Sequence, residues 1–244
     1  MKKFLITIQY RGENYCGFQK QPTEKTIQGE LEKALSEVFK KDIEIFASGR
    51  TDAGVHAISQ TAHFEVDTKI PASSIPFAVN IILPDDIKVL SCKEVAADFH
   101  ARFNVRKKTY EYKMYVSEHI LPLLDTNHYQ LKKQPDFNKM KDASKVLLGK
   151  HNFKSFASSG NQTKDFVRHI YDIKISQKER ILTIEISGNG FLYNMVRIIV
   201  GTLLEVGYNR KTVEDVKKAL DAEDRRLAGY LVPAKALYLK EVKY

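Results

Sequence analysis

"DIEIFASGRTDAGVHAISQTAHFEVD", residues 42–67, reads as strand, loop, strand. Residues 42–48 are expected to be extended and to run into a loop bracketed by Gly49 and Gly54. Residues 60–67 put Ala62, Phe64 and Val66 on one face of a further strand. Upstream, "FLITIQY" (4–10) alternates Phe4, Ile6, Ile8 and Tyr10 against Leu5, Thr7 and Gln9, which is strand period. Ile27, Leu31, Leu35, Val38 and Phe39 then fall at helical spacing behind Thr26, an expected N-cap. Downstream, "SSIPFAVNIIL" (73–83) predicts a short helix, with Ser73 or Ser74 as cap and Pro76 in the first turn. "DIKVLSCKEV" (86–95) predicts a strand. The order is β-α-β-β-α-β.

The remainder repeats that order loosely. "KTYEYKMYV" (108–116) is a strand and "DFNKMKDASKVLLG" (136–149) a helix. "VRHIYDIKIS" (167–176) and "RILTIEISG" (180–188) form a hairpin. Helices over 191–206 and 212–222 and a closing strand over 236–244 complete it. The expected fold is therefore α+β: two ferredoxin-like βαββαβ halves that pack tightly and share a mostly antiparallel sheet. The seam is placed in the charged stretch "HARFNVRKK" (100–108), giving halves 1–105 and 106–244.

With 244 residues, 43% of them hydrophobic, the chain can bury a core in each half. A formal charge of +9 and a pI near 9.3 point to a polyanionic partner, RNA or DNA before membrane. The other reading of that charge is solubility alone. Cys16 and Cys92 make neither a disulfide framework nor a metal motif, so a reducing compartment is expected. "MKKFLITIQY" reads as a first strand and not a signal peptide. "MVRIIVGTLLEV" contains Arg197 and is too short to span a bilayer. Cytoplasmic location is the expectation.

Asp52 leaves a strand and enters a glycine-bracketed loop, where catalytic side chains are commonly displayed. The competing reading is an Asp that only hydrogen-bonds its own turn. In an extended segment Arg50 points the same way as Asp52 and can sit beside the carboxylate or reach a phosphate. Arg197 is the only charge between Phe191 and Leu204, on a helix expected to be mostly buried. Its guanidinium either snorkels to the surface or finds an acceptor, such as a carboxylate from the other half. Arg106, Lys107 and Lys108 precede Tyr110 and Tyr112. Charge for phosphate beside a ring for stacking is what unstacked RNA bases require. Tyr112 is read as core, Tyr110 as the stacking candidate, and His56 as structural. No P-loop, dinucleotide fingerprint or metal-ligand spacing is present, so an enzyme working without cofactor or metal is expected.

"GRTDAGVHA" (49–57) resembles the signature loop of the tRNA pseudouridine synthase A family. The likeness continues in order along the chain. "YRGENYCGFQKQ" (10–21) is similar to the family's first loop, "FHARFNVRKKTYEY" (99–112) to its central segment, and "GNGFLYNMVRIIVGTL" (188–203) to its C-terminal helix. "HNFKSFAS" (151–158) fits too. The resemblance implies that Asp52 is the catalytic aspartate, that Arg197 pairs with it, and that Tyr110 contacts the target base. Arg50 is taken as a substrate contact as well, and Gln19, Arg106, Lys107 and Lys108 as RNA contacts. The resemblance implies a homodimer that isomerises uridines 38 to 40 of the tRNA anticodon stem-loop, held in a basic cleft between the halves. The chain departs from the family pattern at Phe18, where Trp is usual, and at Val232 and Ala236 in the tail.

Overall fold

A computed structural model describes residues 1–160 and 164–244. The chain forms two compact units, Met1–Arg106 with Tyr238–Tyr244, and Lys107–Leu237.

The first unit holds β1 (Lys2–Tyr10), α1 (Ile27–Phe39), β2 (Phe46–Ala47), β3 (His56–Val66), α2 (Ile75–Ile82) and β4 (Ile87–Val95). Its strands run β4-β1-β3, with β2 on the far side of β3, and every one of these pairings is antiparallel. That is the order a βαββαβ chain adopts when both helices cover one face. Phe4 of β1 lies opposite Phe64 of β3, and their rings stack at 5.6 Å. Phe39 at the end of α1 meets Phe64 at 5.8 Å, which places α1 on that face. Thr26 caps α1 as expected, accepting the Gly29 N–H at 3.2 Å.

β2 is much shorter than the strand expected over 42–48. The reason lies on α1. Ser36 Oγ accepts the Ile43 N–H at 2.9 Å, and the buried Glu32 carboxylate accepts the Ile45 N–H at 3.2 Å. Backbone donors that a ladder would use are taken by helix side chains, so residues 42–45 cross α1 without pairing. Ser74 occupies the N-cap position of α2 but makes no side-chain cap bond; Pro76 stands in the first turn as read.

The second unit holds β5 (Lys107–Val116), α3 (Pro122–Asp125), β6 (Tyr129–Leu131), α4 (Phe137–Val146), β7 (Gly149–Asn152), β8 (Val167–Lys178), β9 (Ile181–Gly188), α5 (Met195–Gly207) and α6 (Val213–Ala222). Its strands run β6-β5-β9-β8-β7, antiparallel except for β5 with β6. The expected β8–β9 hairpin is present. Short α3, β6 and β7 have no counterpart in the periodicity reading. α4 is capped by Asp136, whose carboxylate accepts the Asn138 and Lys139 N–H groups. α5 begins at Met195 and not at Phe191, because Asn194 is left-handed (φ 61°) and forms a turn first.

The chain closes in β10 (Leu237–Lys243), expected in the second half. From Tyr238 onward its residues group with the first unit, parallel to β3, with Tyr238 opposite His56 and Leu239 opposite Ala57. Strand pattern alone carries no information on which edge a strand will find.

Candidate active site

Asp52 sits half-buried on a turn closed by the Val55 N–H to Asp52 C=O bond at 3.1 Å. Gly54 completes that turn in a conformation that glycine adopts without strain (φ 77°). Its neighbours are committed elsewhere. Thr51 Oγ1 is 2.7 Å from the hydroxyl of buried Tyr10, and the Thr51 C=O accepts the Phe18 N–H at 3.0 Å. Burial pushes the Tyr10 hydroxyl well above its ordinary pKa, against the hydrogen bond from Thr51, so it stays protonated. Behind the loop, Gln60 donates to Gly49 C=O at 2.9 Å and accepts from Ser48 at 2.6 Å. His56 is buried, accepts the Gly12 N–H through Nδ1 at 3.2 Å, and stacks on Tyr238 at 4.8 Å. The structural reading of His56 holds.

The first loop is the second half of this construction. A side chain on Gly12 would collide with the Val55 carbonyl. One on Gly17 would come within 2.9 Å of Thr51 O, and Gly17 has φ 90°. These two glycines, and not only Gly49 and Gly54, let another backbone reach the Asp52 loop. Both are visible in "YRGENYCGF", but nothing in a single sequence says what they approach. Asp86 anchors the far side of the first loop, accepting from Tyr15 and from Asn14. Phe18, one of the departures, is buried with its ring 6.2 Å from Tyr10. Gln19 and Arg50 are exposed beside these loops, and Arg106 is exposed with its N–H on Lys243 C=O.

In the second unit Arg197 lies in the first turn of α5 and is half-buried. Nε donates to Val232 C=O at 2.7 Å and Nη1 to Asn194 Oδ1 at 2.8 Å. Asn194 in turn donates to Ser158 Oγ at 2.9 Å. The two bonds fix the guanidinium plane and direct it, so free snorkelling is not its state. The Val232 carbonyl reaches it because Gly201 and Gly229 allow residues 229–230 to lie directly against α5, where a Cβ on either would strike backbone. Both tail departures, Val232 and Ala236, are fully buried. Tyr110 is half-buried on β5 with its ring edge-to-face against Phe191 at 5.2 Å. Tyr112 is core and donates to Pro233 C=O at 2.8 Å, as read. Lys107 and Lys108 open β5 and are half-exposed. Among the described residues no group of three or more His, Cys, Asp or Glu could hold a metal ion. No helix among them is long and apolar enough to cross a membrane.

The family model described as tRNA pseudouridine synthase matches residues 6–104 and 143–244. The chain belongs to the tRNA pseudouridine synthase family. It is 45% identical to tRNA pseudouridine synthase A 2 of Clostridium tetani over 241 residues, covering 98% of this chain and 97% of that one. It is 44% identical over 245 residues to tRNA pseudouridine synthase A 2 of Clostridium perfringens, and 40% identical over 244 residues to tRNA pseudouridine synthase A of Caldicellulosiruptor saccharolyticus; both chains are covered completely in each case. Asp52, Arg50, Gln19 and Arg197 lie inside the stretches matched to the pseudouridine synthase family. Tyr110 and residues 106–108 lie in the interval between them.

Proposed function

We propose that the protein isomerises uridine to pseudouridine in tRNA, at uridines 38 to 40 of the anticodon stem-loop, with Asp52 as the catalytic group. The observation that carries the chemistry is the Asp52 turn. A carboxylate stands half-open on a loop that Tyr10 holds through Thr51 and Gln60 holds through the Gly49 carbonyl, within a chain matched end to end by tRNA pseudouridine synthases.

Isomerisation breaks the N1–C1′ bond, turns the uracil and rejoins it through C5. The target nucleotide must first leave the stack. Asp52 then attacks the base, attacks C1′, or takes a proton from the ribose. Each route needs a carboxylate fixed near sugar and base on a loop that admits a flipped nucleotide. Arg50, exposed two residues away, holds a phosphate or fills the gap left by the base. Tyr110 stacks on the uracil. Arg197 supports the ionised form of Asp52. Gln19, Arg106, Lys107 and Lys108 hold the RNA backbone. The protein works in the cytoplasm as a homodimer, the arrangement implied by its resemblance to the family.

The test is tritium release from tRNA labelled at uridine C5, with Asp52→Asn beside the wild type. Asn keeps the shape and removes the charge, so RNA affinity stays within a few-fold while turnover falls by about three orders of magnitude or more. Near-normal release from Asp52→Asn would overturn the assignment. Carbodiimide primer-extension stops on the treated tRNA then give the positions. Stops outside the anticodon arm would leave the chemistry and correct the target.

A further inference from the structure

A column of aromatic rings in the first unit ends in solvent. Phe46 stacks on His63 with ring centroids 5.2 Å apart and planes 23° from parallel. His63 meets His100 at 4.7 Å, and His100 meets Phe103 at 4.3 Å. Phe103 is 75% exposed. The guanidinium carbon of Arg102 lies 5.9 Å from the centre of the Phe103 ring.

The turn that carries Phe103 is locked. His63 Nδ1 accepts the Ala101 N–H at 3.1 Å, and His100 Nδ1 accepts the Arg102 N–H at 3.1 Å. Asn104 Oδ1 accepts the His100 N–H at 2.6 Å, and the Tyr244 hydroxyl donates to Ala101 C=O at 3.0 Å. Phe64 faces α1, so its neighbour His63 points to the opposite face of β3 by strand alternation. The column therefore rises from the sheet face that α1 leaves uncovered.

A cluster built only for packing buries its outermost ring, because each buried aromatic removes apolar surface from water. Here the outermost ring is left in solvent on a rigid turn, with an arginine at its side. An open π-face with a cation beside it is what an unpaired base and its phosphate require. The surrounding sequence agrees in sign: over residues 97–108, Asp98 is the one acid against Arg102, Arg106, Lys107 and Lys108. That balance favours a nucleic acid over an apolar protein surface.

We infer that Phe103, backed by His100 and flanked by Arg102, is a stacking platform for an unpaired base of the RNA substrate. The inference rests on the tRNA reading above. His63 lies seven residues along β3 from His56, roughly 24 Å at strand rise. The base it takes is therefore not the target uridine, and the platform acts in binding and not in the bond rearrangement.

The chain has no tryptophan, so Phe103→Trp introduces a single fluorescent reporter. Its emission should be quenched by tRNA, saturating at the Kd found by filter binding. Phe103→Ala should weaken tRNA binding by roughly 5- to 150-fold, the range expected for one lost base stack, with the single-turnover rate at saturating tRNA unchanged. Arg102→Gln should weaken binding less and flatten its salt dependence. Unmoved Trp emission together with wild-type affinity of Phe103→Ala would overturn the platform. So would a Trp emission change driven by protein concentration without RNA, which would give the ring to a second copy of the chain. Wild-type tritium release on the same tRNA separates the two levels: an inactive wild type removes the tRNA reading and the platform with it, whereas an active wild type with silent Phe103 variants removes the platform alone.

Discussion

A carboxylate useful for bond rearrangement must be held still without being buried away from its substrate, and the residues around Asp52 divide that labour. Thr51, Val55, His56 and Gln60 hold the loop from behind. Gly12 and Gly17 supply the surface it rests on. Gly17→Ala must force a side chain into a left-handed backbone and against Thr51 O. We expect a loss of about 1–2 kcal/mol in stability from the backbone term alone. Turnover should fall further than the folded fraction does, because the strain is released into the Asp52 turn. Urea midpoints and tritium release measured on one preparation check this. Equal turnover per folded molecule would show that the loop tolerates the shift. Tyr110 gives a second residue-scale test. Tyr110→Phe keeps the ring and Tyr110→Ala removes it. Normal tRNA affinity in Phe with weak affinity in Ala is the outcome for stacking, and slow turnover in Phe adds a role for the hydroxyl. Wild-type behaviour in both would confine Tyr110 to packing against Phe191. The Asp52 loop was legible from residue order, because a glycine-bracketed turn between strands is local, and the family resemblance singled out its carboxylate. Gly12 and Gly17 were not, because their function is a close approach to residues far along the chain.

At the scale of elements, β3 and the turn packed on it make an acid-sensitive joint. Burial pushes the His63 imidazole down to about 4, with the charges of His100 and Lys3 adding to the shift. Glu65 and a hydrogen bond with the Phe46 backbone oppose it. In the native chain the neutral ring accepts the Ala101 N–H. The unfolded chain takes up its proton near pH 6.5. Between about 6.5 and 4 the unfolded state thus binds more protons, so stability is fully present above that window and is lost as pH falls through it. Urea midpoints from pH 7.5 to 4.5 should drop more steeply in the wild type than in His63→Gln. Parallel slopes would show that His63 does not resist protonation. In the second unit, α5 depends on Arg197 for the Val232 and Asn194 acceptors. Arg197→Met should cost about 1–3 kcal/mol, the penalty for polar groups left unpaired, and lower turnover by more than the loss of folded protein explains. Wild-type turnover per folded molecule would leave Arg197 a purely structural residue.

For the whole molecule, the formal charge of +9 should appear as salt-dependent RNA binding, since neutralised phosphates release counterions. Replacing Lys107 and Lys108 together with Gln should reduce the slope of log affinity against log salt by roughly 1–2, about one for each phosphate no longer neutralised. An unchanged slope would take the RNA elsewhere. The same charge read alone allowed solubility as its only purpose. Belonging to the tRNA pseudouridine synthase family over nearly the whole chain favours the polyanion.

Local pattern was enough to determine β1, α1 with its Thr26 cap, the β8–β9 hairpin and a mostly buried α5, because strand alternation, helix caps and apolar runs are decided within a few residues. The same locality delivered the Asp52 loop and the resemblance it carries. Only the tertiary structure decided that Ile43 and Ile45 give their N–H groups to Ser36 and Glu32 instead of a ladder, that β10 lies along β3, and that Arg197 is held by a carbonyl 35 residues further on. It alone gathered Phe46, His63, His100 and Phe103 into one column. Each of these depends on contacts between different elements of the chain. Hydrogen-bond capacity and ring area can be counted in a sequence, but their partners are chosen when the chain folds back on itself.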